Sequence, residues 1–295
     1  MSLIKKAFFN GDIEICFLEV GVGSLIVCQH GFPDNANSFI PIMEKIASAG
    51  YKVVSPYLRG YFPTSAPLDN NFFLTSMVDD IETVISYLGY DSAIIIGSDW
   101  GAQVAVGAAI LYPEKVERVI TIGFSKPTKS ISGCYDYLKG IWHCHFFQKK
   151  EADEIVSRDD FQFLDKWWSD ACPNWSIPTA FVDSVKQTFR SGDTLSSSLE
   201  QYRCRENLSA LSGEERNRYR KIMDSKVTVP VLAIHGDSDR LMRLEAFNCG
   251  AMNNFFVGEL KKVLLKGAGH FPHLEKTEEF TQIVMEYLME TIQSN

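Results

Sequence analysis

Ala93-Ile94-Ile95-Ile96-Gly97-Ser98-Asp99-Trp100-Gly101-Ala102-Gln103-Val104-Ala105 is an apolar run broken by an acid, with a glycine two residues to either side, and resumed by small residues. Ile94 to Ile96 are β-branched and do not alternate with polar residues, which predicts a strand buried on both faces of a parallel sheet. The Ala and Val residues that follow predict a helix. Between them, Gly97 and Gly101 have the spacing of a nucleophile elbow, a strained strand-to-helix turn that needs small neighbours and holds its central side chain at the tip. Centring the turn on Ser98 would put Ile96 and Trp100 where small residues are required, so Asp99 is the expected tip. A carboxylate nucleophile forms an ester to a substrate carbon, which points to displacement at an alkyl carbon rather than to acyl transfer. The plainer alternative is an ordinary glycine turn with Asp99 as a helix N-cap.

The 295 residues suit one large α/β domain, or a core with an insertion. A hydrophobic share of 45% and a charged share of 22% are those of a globular protein. The net charge of −8 and the pI near 5.3 disfavour nucleic acid and anionic membranes, both of which need a basic face. A small neutral substrate is compatible. Seven scattered cysteines with no CxxC pair predict reduced thiols, and with an N-terminus lacking a signal-peptide core they give a cytoplasmic expectation. No ligand cluster implies a metal or organic cofactor, and the oligomeric state is open.

Along the chain, two strand-like runs flank Asn10-Gly11-Asp12, a hairpin signal, and Leu25 to Gln29 is a third strand. That strand runs into His30-Gly31-Phe32-Pro33. A loop leaving the carboxyl end of a parallel strand can point backbone N–H groups into a crevice, so the Phe32 N–H is a candidate oxyanion donor. A helix over 37–49 capped by Asn37, a strand from Tyr51, the Arg59-Gly60-Tyr61 loop and a helix from Thr75 to Leu88 precede the elbow, and a strand from Val116 to Ile122 follows it. Alternation then stops. Residues 126–225 are rich in aromatics and charge, with Trp142, Trp167, Trp168 and Trp175, and predict an inserted helical cap between core segments 1–125 and 226–295. Strands resume at Val229 to Gly236 and Lys262 to Leu265, before a final helix from Glu275 to Ile292. The expected fold class is α/β, a doubly wound, mostly parallel sheet with a helical cap.

An Asp nucleophile needs a base to activate water against its ester, and an acid to orient that base. His270, in the loop after the last strand, is the candidate base; Asp237 and Asp239, after the preceding strand, compete as orienting acid.

The elbow, the His-Gly-Phe-Pro loop, the late Asp and His and the core–cap–core order together resemble the α/β-hydrolase superfamily. The Asp-Trp-Gly elbow and the Arg-Gly-Tyr loop are similar to its epoxide hydrolase branch, and the elbow also to haloalkane dehalogenases. The resemblance covers nearly the whole chain and implies the roles that follow. It selects Asp239 over Asp237. It implies that the N–H groups of Phe32 and Trp100 form the oxyanion hole. Two cap groups would hold an epoxide oxygen: Tyr202, in Gln201-Tyr202-Arg203-Cys204, and His143, in Trp142-His143-Cys144-His145-Phe146-Phe147-Gln148, where the family usually has Tyr. An imidazole N–H can donate to an oxygen as a phenol does. Trp100, Phe32 and Trp142 are the expected pocket lining for a small apolar substrate and water. Haloalkane dehalogenases usually carry Asn at the Phe32 position, and fluoroacetate dehalogenases carry Arg beside the nucleophile, where this chain has Trp100 and Gln103; both departures weaken dehalogenation. Ser98 stands where many epoxide hydrolases have His. Halide displacement by Asp99 and a catalytically silent binder of hydrophobic ligands remain as alternatives.

Overall fold

β1 (Ile4–Asn10) and β2 (Ile13–Gly21) pair antiparallel across Gly11-Asp12, with Gly11 at φ +61, a left-handed turn position. The computed structural model describes residues 2–126 and 129–290. From β3 (Ser24–Gln29) the chain runs through a short 3-10 turn, Ala36–Phe39, into α1 (Ile40–Ser48), then β4 (Tyr51–Pro56), α2 (Leu74–Tyr87), β5 (Ala93–Ser98), α3 (Trp100–Leu111) and β6 (Val116–Ile122). The cap of the first helical turn is Asn35, whose side chain accepts from the Asn37 N–H at 2.9 Å, and not Asn37 as expected.

Helices alone follow among the described residues up to the next strand: α4 (Lys129–Ser132), α5 (Tyr135–Gly140), α6 (Trp142–Phe146), α7 (Ala152–Ala171), α8 (Thr179–Phe189), α9 (Thr194–Glu206), a 3-10 turn at Leu208–Ala210 and α10 (Gly213–Asp224). The backbone of α7 leaves helical geometry at Arg158 to Phe161, which divides it. Of the expected cap, residues 127 and 128 lie outside the described residues. The chain closes with β7 (Val231–Gly236), α11 (Leu244–Asn248), α12 (Gly250–Phe255), β8 (Leu260–Leu265), α13 (Pro272–Glu275) and α14 (Thr277–Glu290). Residues 291 and 292 of the expected last helix lie outside the described part.

The eight strands form one sheet in the order β1-β2-β4-β3-β5-β6-β7-β8. β2 is antiparallel to both its neighbours, and every pairing from β4 to β8 is parallel. β5 is central and buried along its whole length, which accounts for its unbroken run of isoleucines. α3 is apolar all round because it is enclosed on every side, with Gly107 letting Val78 of α2 and Ile222 of α10 approach. The reversal of strand order about β3 and β5 opens a crevice at their carboxyl ends, where α/β sheets bind ligands. Among the described residues no helix is long and apolar enough to cross a membrane.

The helices between β6 and β7 are tied to the loops at that edge. The Trp168 indole donates to the Pro33 carbonyl at 3.1 Å, the Phe62 N–H to the Thr194 hydroxyl at 2.9 Å, and the Asn35 side chain to the Thr188 hydroxyl at 3.0 Å.

Candidate active site

Asp99 sits between β5 and α3 at φ 53, ψ −116, in the left-handed half of backbone space where a non-glycine residue is strained. Sterics explain the flanking glycines. A Cβ on Gly97 would collide with the Gly101 carbonyl, and a Cβ on Gly101 with the Gln29 carbonyl of β3. The strand, the turn and the helix therefore meet more closely than any larger residue allows. Ser98 ends β5 fully buried, its hydroxyl without a partner, so it is not the residue presented to the crevice.

The Asp99 carboxylate is gripped at both oxygens. Oδ1 accepts from the Phe32 N–H at 2.9 Å, and Oδ2 lies 3.3 Å from His270 Nε2. Gly31 is required for that approach, since a Cβ there would press on the Asp99 side chain. His30 braces the same loop, with Nδ1 3.0 Å from the Gly31 carbonyl and Nε2 accepting from the Leu58 N–H at 3.0 Å.

His270 Nδ1 is 2.7 Å from Asp239 Oδ2, while Oδ1 of Asp239 accepts from the N–H groups of Leu241 and Met242 at 2.8 and 2.9 Å. That geometry makes Nδ1 the donor and leaves Nε2 facing Asp99. Asp237 is brought elsewhere: its Oδ1 accepts from the Gly267 N–H at 2.7 Å and closes a turn. Burial favours neutral imidazole, but the carboxylates of Asp239 and Asp99 outweigh it and hold the His270 pKa up at about 10. For Asp239, burial is likewise outweighed, here by the His270 charge, and its carboxyl lies below its usual range. A residue that was not anticipated completes the frame: Gly123, at φ +64, lies so close to His270 that a Cβ would reach 2.8 Å from its Cε1. The His270 N–H also donates to the carbonyl of Ala171, the last residue of α7, at 3.0 Å, which joins this loop to the helical segment.

Tyr202 of α9 stands over the elbow, its ring edge-on to Trp100 at 5.2 Å, Phe32 at 5.4 Å, Phe147 at 5.0 Å and His143 at 5.7 Å. The structure thus brings His143 of α6 beside Tyr202, although the two are far apart in sequence. Burial, reinforced by the Asp99 charge, raises the Tyr202 phenol well above its ordinary range, so it is a neutral donor. Burial lowers His143 to about 4, against the opposing pull of Asp99. Its Nε2 is 3.6 Å from Cys144 Sγ, and Nδ1 has no hydrogen-bond partner. Such edge-on aromatic pairs contribute about 0.5–1.5 kcal/mol each beyond burial.

Trp142 is not part of this arrangement. It is 44% exposed, packs its ring on Phe146 and Phe163, and borders a surface cleft with Asp136, Lys139 and Arg240. On the five-residue α6, His143 and Trp142 point different ways, and the inward direction goes to His143; Phe147 and Trp167, both buried, supply the aromatic wall expected of Trp142.

Asp99 opens onto a cavity of about 490 Å³. Leu74, Val106, Phe124 and Ile222 give it an apolar wall, and Gln103 and Arg205 a polar one. Phe32 and Trp100, expected to line the pocket, are not among its lining residues, and neither is Tyr202; the three rings pack together beside the elbow, each almost wholly buried. Arg205 and Gln201 were not foreseen as site residues. Gln201 is fully buried with neither amide atom partnered, a loss of about 1–3 kcal/mol for each polar group left unmet. Helical spacing from Tyr202 was the signal available for Arg205. Among the described residues no group of three or more His, Cys, Asp or Glu is arranged to hold a metal ion.

The sequence pattern of the α/β hydrolase fold family matches residues 24–277, and the chain belongs to that family. Within it, the chain is an enzyme similar to epoxide hydrolases. It is 24% identical to an epoxide hydrolase of Caballeronia sordidicola, over 95% of this chain and 91% of that one. It is 29% identical to epoxide hydrolase 4 of Homo sapiens, over 90% of this chain and 72% of that one. Its fold superimposes on an inhibitor complex of Bacillus megaterium epoxide hydrolase with a TM-score of 0.83 and 24% identity, covering 96% and 99% of the two chains.

Proposed function

We propose that this protein opens an epoxide to a diol through an ester on Asp99. The observation that carries this is the two-sided grip on one carboxylate, Oδ1 on the Phe32 N–H and Oδ2 facing the His270–Asp239 pair. Oδ2 attacks an epoxide carbon, and the carbon–oxygen bond breaks as the oxygen takes a proton from the Tyr202 phenol, with His143 as the second donor. The helices between β6 and β7, residues 126–225 by the sequence boundaries, act as the cap that carries these two donors.

Ester formation removes the Asp99 charge, and with it one of the two carboxylates that keep His270 protonated. The imidazolium can then return a proton to the Tyr202 phenolate and become a base. Neutral His270 takes a proton from water, and the hydroxide adds to the ester carbonyl. The negative charge gathers on Oδ1, at the Phe32 N–H, with the Trp100 N–H as the second donor. Losing one such donor costs about 10²–10³-fold in rate. Collapse expels the alkoxide, which takes the proton of the new Asp99 carboxyl, and the resting pair of Asp99 carboxylate and His270 imidazolium returns.

One feature speaks against halide displacement: Phe32 offers no side-chain N–H to hold the leaving ion. A silent binder would have no use for an imidazole set between two carboxylates.

The test is intact-protein mass spectrometry of His270→Gln with styrene oxide. A stoichiometric adduct of substrate mass on Asp99 is expected, and single turnover of the unaltered enzyme in H₂¹⁸O should place the label in Asp99 before the diol. Label in the diol alone, with no adduct in the variant, would rule out the ester.

A further inference from the structure

Glu275 is a half-buried carboxylate for which the steps at Asp99 have given no use. It is the last residue of α13, and its side chain turns back over the loop that carries His270. Oε2 accepts from the Gly269 N–H at 2.8 Å and Oε1 from the Phe271 N–H at 3.1 Å, and these are the residues on either side of the histidine. The His270 N–H between them donates to the Ala171 carbonyl. Three successive N–H groups are thus held from outside the loop, two of them by one side chain.

Helix capping explains only part of this. A carboxylate near the start of a helix satisfies N–H groups that the helix leaves unpaired, and the N–H of Phe271, the N-cap of α13, is one of these. Gly269 lies two residues before that cap, outside the helix, yet the shorter bond goes to it. Among the described residues Glu275 makes no ion pair; burial and the Asp239 charge push its pKa up against the pull of the two N–H groups and the Cys172 thiol. What keeps the charge in place is the loop that it grips. Gly269 is packed without slack as well, since a Cβ there would collide with the Ala171 carbonyl and the Cα of Cys172.

Backbone held at 269, 270 and 271 fixes where the Cα–Cβ bond of His270 points. In the resting enzyme the ring is also drawn from both ends, by Asp239 at Nδ1 and by Asp99 at Nε2. The second attraction goes when Asp99 becomes a neutral ester, which is the moment at which the imidazole must meet water.

We propose that Glu275 is a positioning residue for His270, holding the N–H groups of Gly269 and Phe271 so that the imidazole stays aligned for hydrolysis of the Asp99 ester. This rests on the ester proposed above and adds to it the group that keeps the base in place once the Asp99 charge has gone. Glu275 touches no reacting atom.

The experiment follows the ester by intact-protein mass spectrometry in single turnovers of styrene oxide, in the unaltered protein, Glu275→Gln and Glu275→Asp. Gln keeps the shape of Glu but has one acceptor oxygen, so one of the two N–H groups is left facing an NH₂ group. Ester formation should be little changed in Glu275→Gln, while ester decay slows by about 10- to 100-fold, the scale of a displacement of about 1 Å. The adduct then accumulates at steady state. Glu275→Asp, one methylene shorter, should also slow the decay, and it gives the same reading if Glu275→Gln does not fold. Decay rises with pH as His270 becomes neutral; Glu275→Gln should lower the plateau and leave the midpoint, because Asp239 still faces Nδ1. Unchanged decay, equal slowing of both steps, or a midpoint moved by about one pH unit or more would overturn the positioning role. Two measurements without substrate separate that role from the chemistry: the NMR resonance of the His270 Nδ1 proton, and hydrogen exchange at the Gly269 and Phe271 amides. If no protein forms an adduct, the ester is ruled out; the positioning role then stands if Glu275→Gln loses protection at these amides and broadens the resonance, and falls if the resonance is unchanged.

Discussion

Asp99 and Tyr202 are held in different ways. Around Asp99 the backbone leaves no alternative: Gly97, Gly101 and Gly31 each occupy a space that a single added carbon would close, and the positive φ of Asp99 points its side chain out of the bend. Around Tyr202 the constraint is ring packing, with Phe32, Trp100, Phe147 and His143 edge-on to it. The core side of the site is thus set by sterics within a few residues of chain, and the cap side by contacts among helices distant in sequence. A nucleophile that must meet a base and an oxyanion donor together tolerates little displacement. Side chains held only by packing among helices can vary with the helices that carry them.

The contrast can be broken most severely at its core end. Asp99→Ala should abolish diol formation and leave no adduct, while far-ultraviolet circular dichroism stays that of the folded protein; diol produced by this variant would remove Asp99 from the chemistry. Next in size, Tyr202→Phe should slow ester formation by about 10²-fold, as for loss of a general acid, with the decay of the ester little affected. Unchanged alkylation in a single turnover would show that the cap supplies no proton.

A third prediction sets the two histidines against each other through the pH dependence of stability. The folded state holds the proton of His270 up to about 10, whereas an unfolded His releases it near 6.5. Its contribution is therefore complete below about 6.5 and is lost as pH rises toward 10. His143 has the opposite sign. Its folded value of about 4 lies below the unfolded one, so stability falls on acidification between about 6.5 and 4. His143→Phe should flatten the acid side of a urea-midpoint profile, only in part because buried His30 and His273 shift in the same direction, and leave the alkaline side as it was. Superimposable profiles would show that burial of His143 is not what lowers it. The smallest effect on the reaction is expected at Trp142→Ala, which gives up its ring contacts with Phe146 and Phe163 at a cost of about 1 kcal/mol in stability and leaves kcat/KM for styrene oxide unchanged; a large loss of kcat/KM would bring Trp142 back into the site.

The sequence by itself determined the sheet, the elbow and the register that chooses Asp99 over Ser98, because each rests on constraints within a few residues: β-branched runs, glycine spacing and the absence of room for a Cβ. It narrowed the orienting acid to Asp237 or Asp239, and resemblance to a family chose between them; the coordinates put Asp239 against His270 and Asp237 against a turn N–H. Only the tertiary structure decided which aromatics face inward. α6 is too short for its periodicity to tell Trp142 from His143, and burial there depends on Phe147, Trp167 and Tyr202 arriving from three other parts of the chain. The same holds for Gln201. That an amide lacks a partner is a fact about every group that could have reached it, and it exists only once the chain has folded.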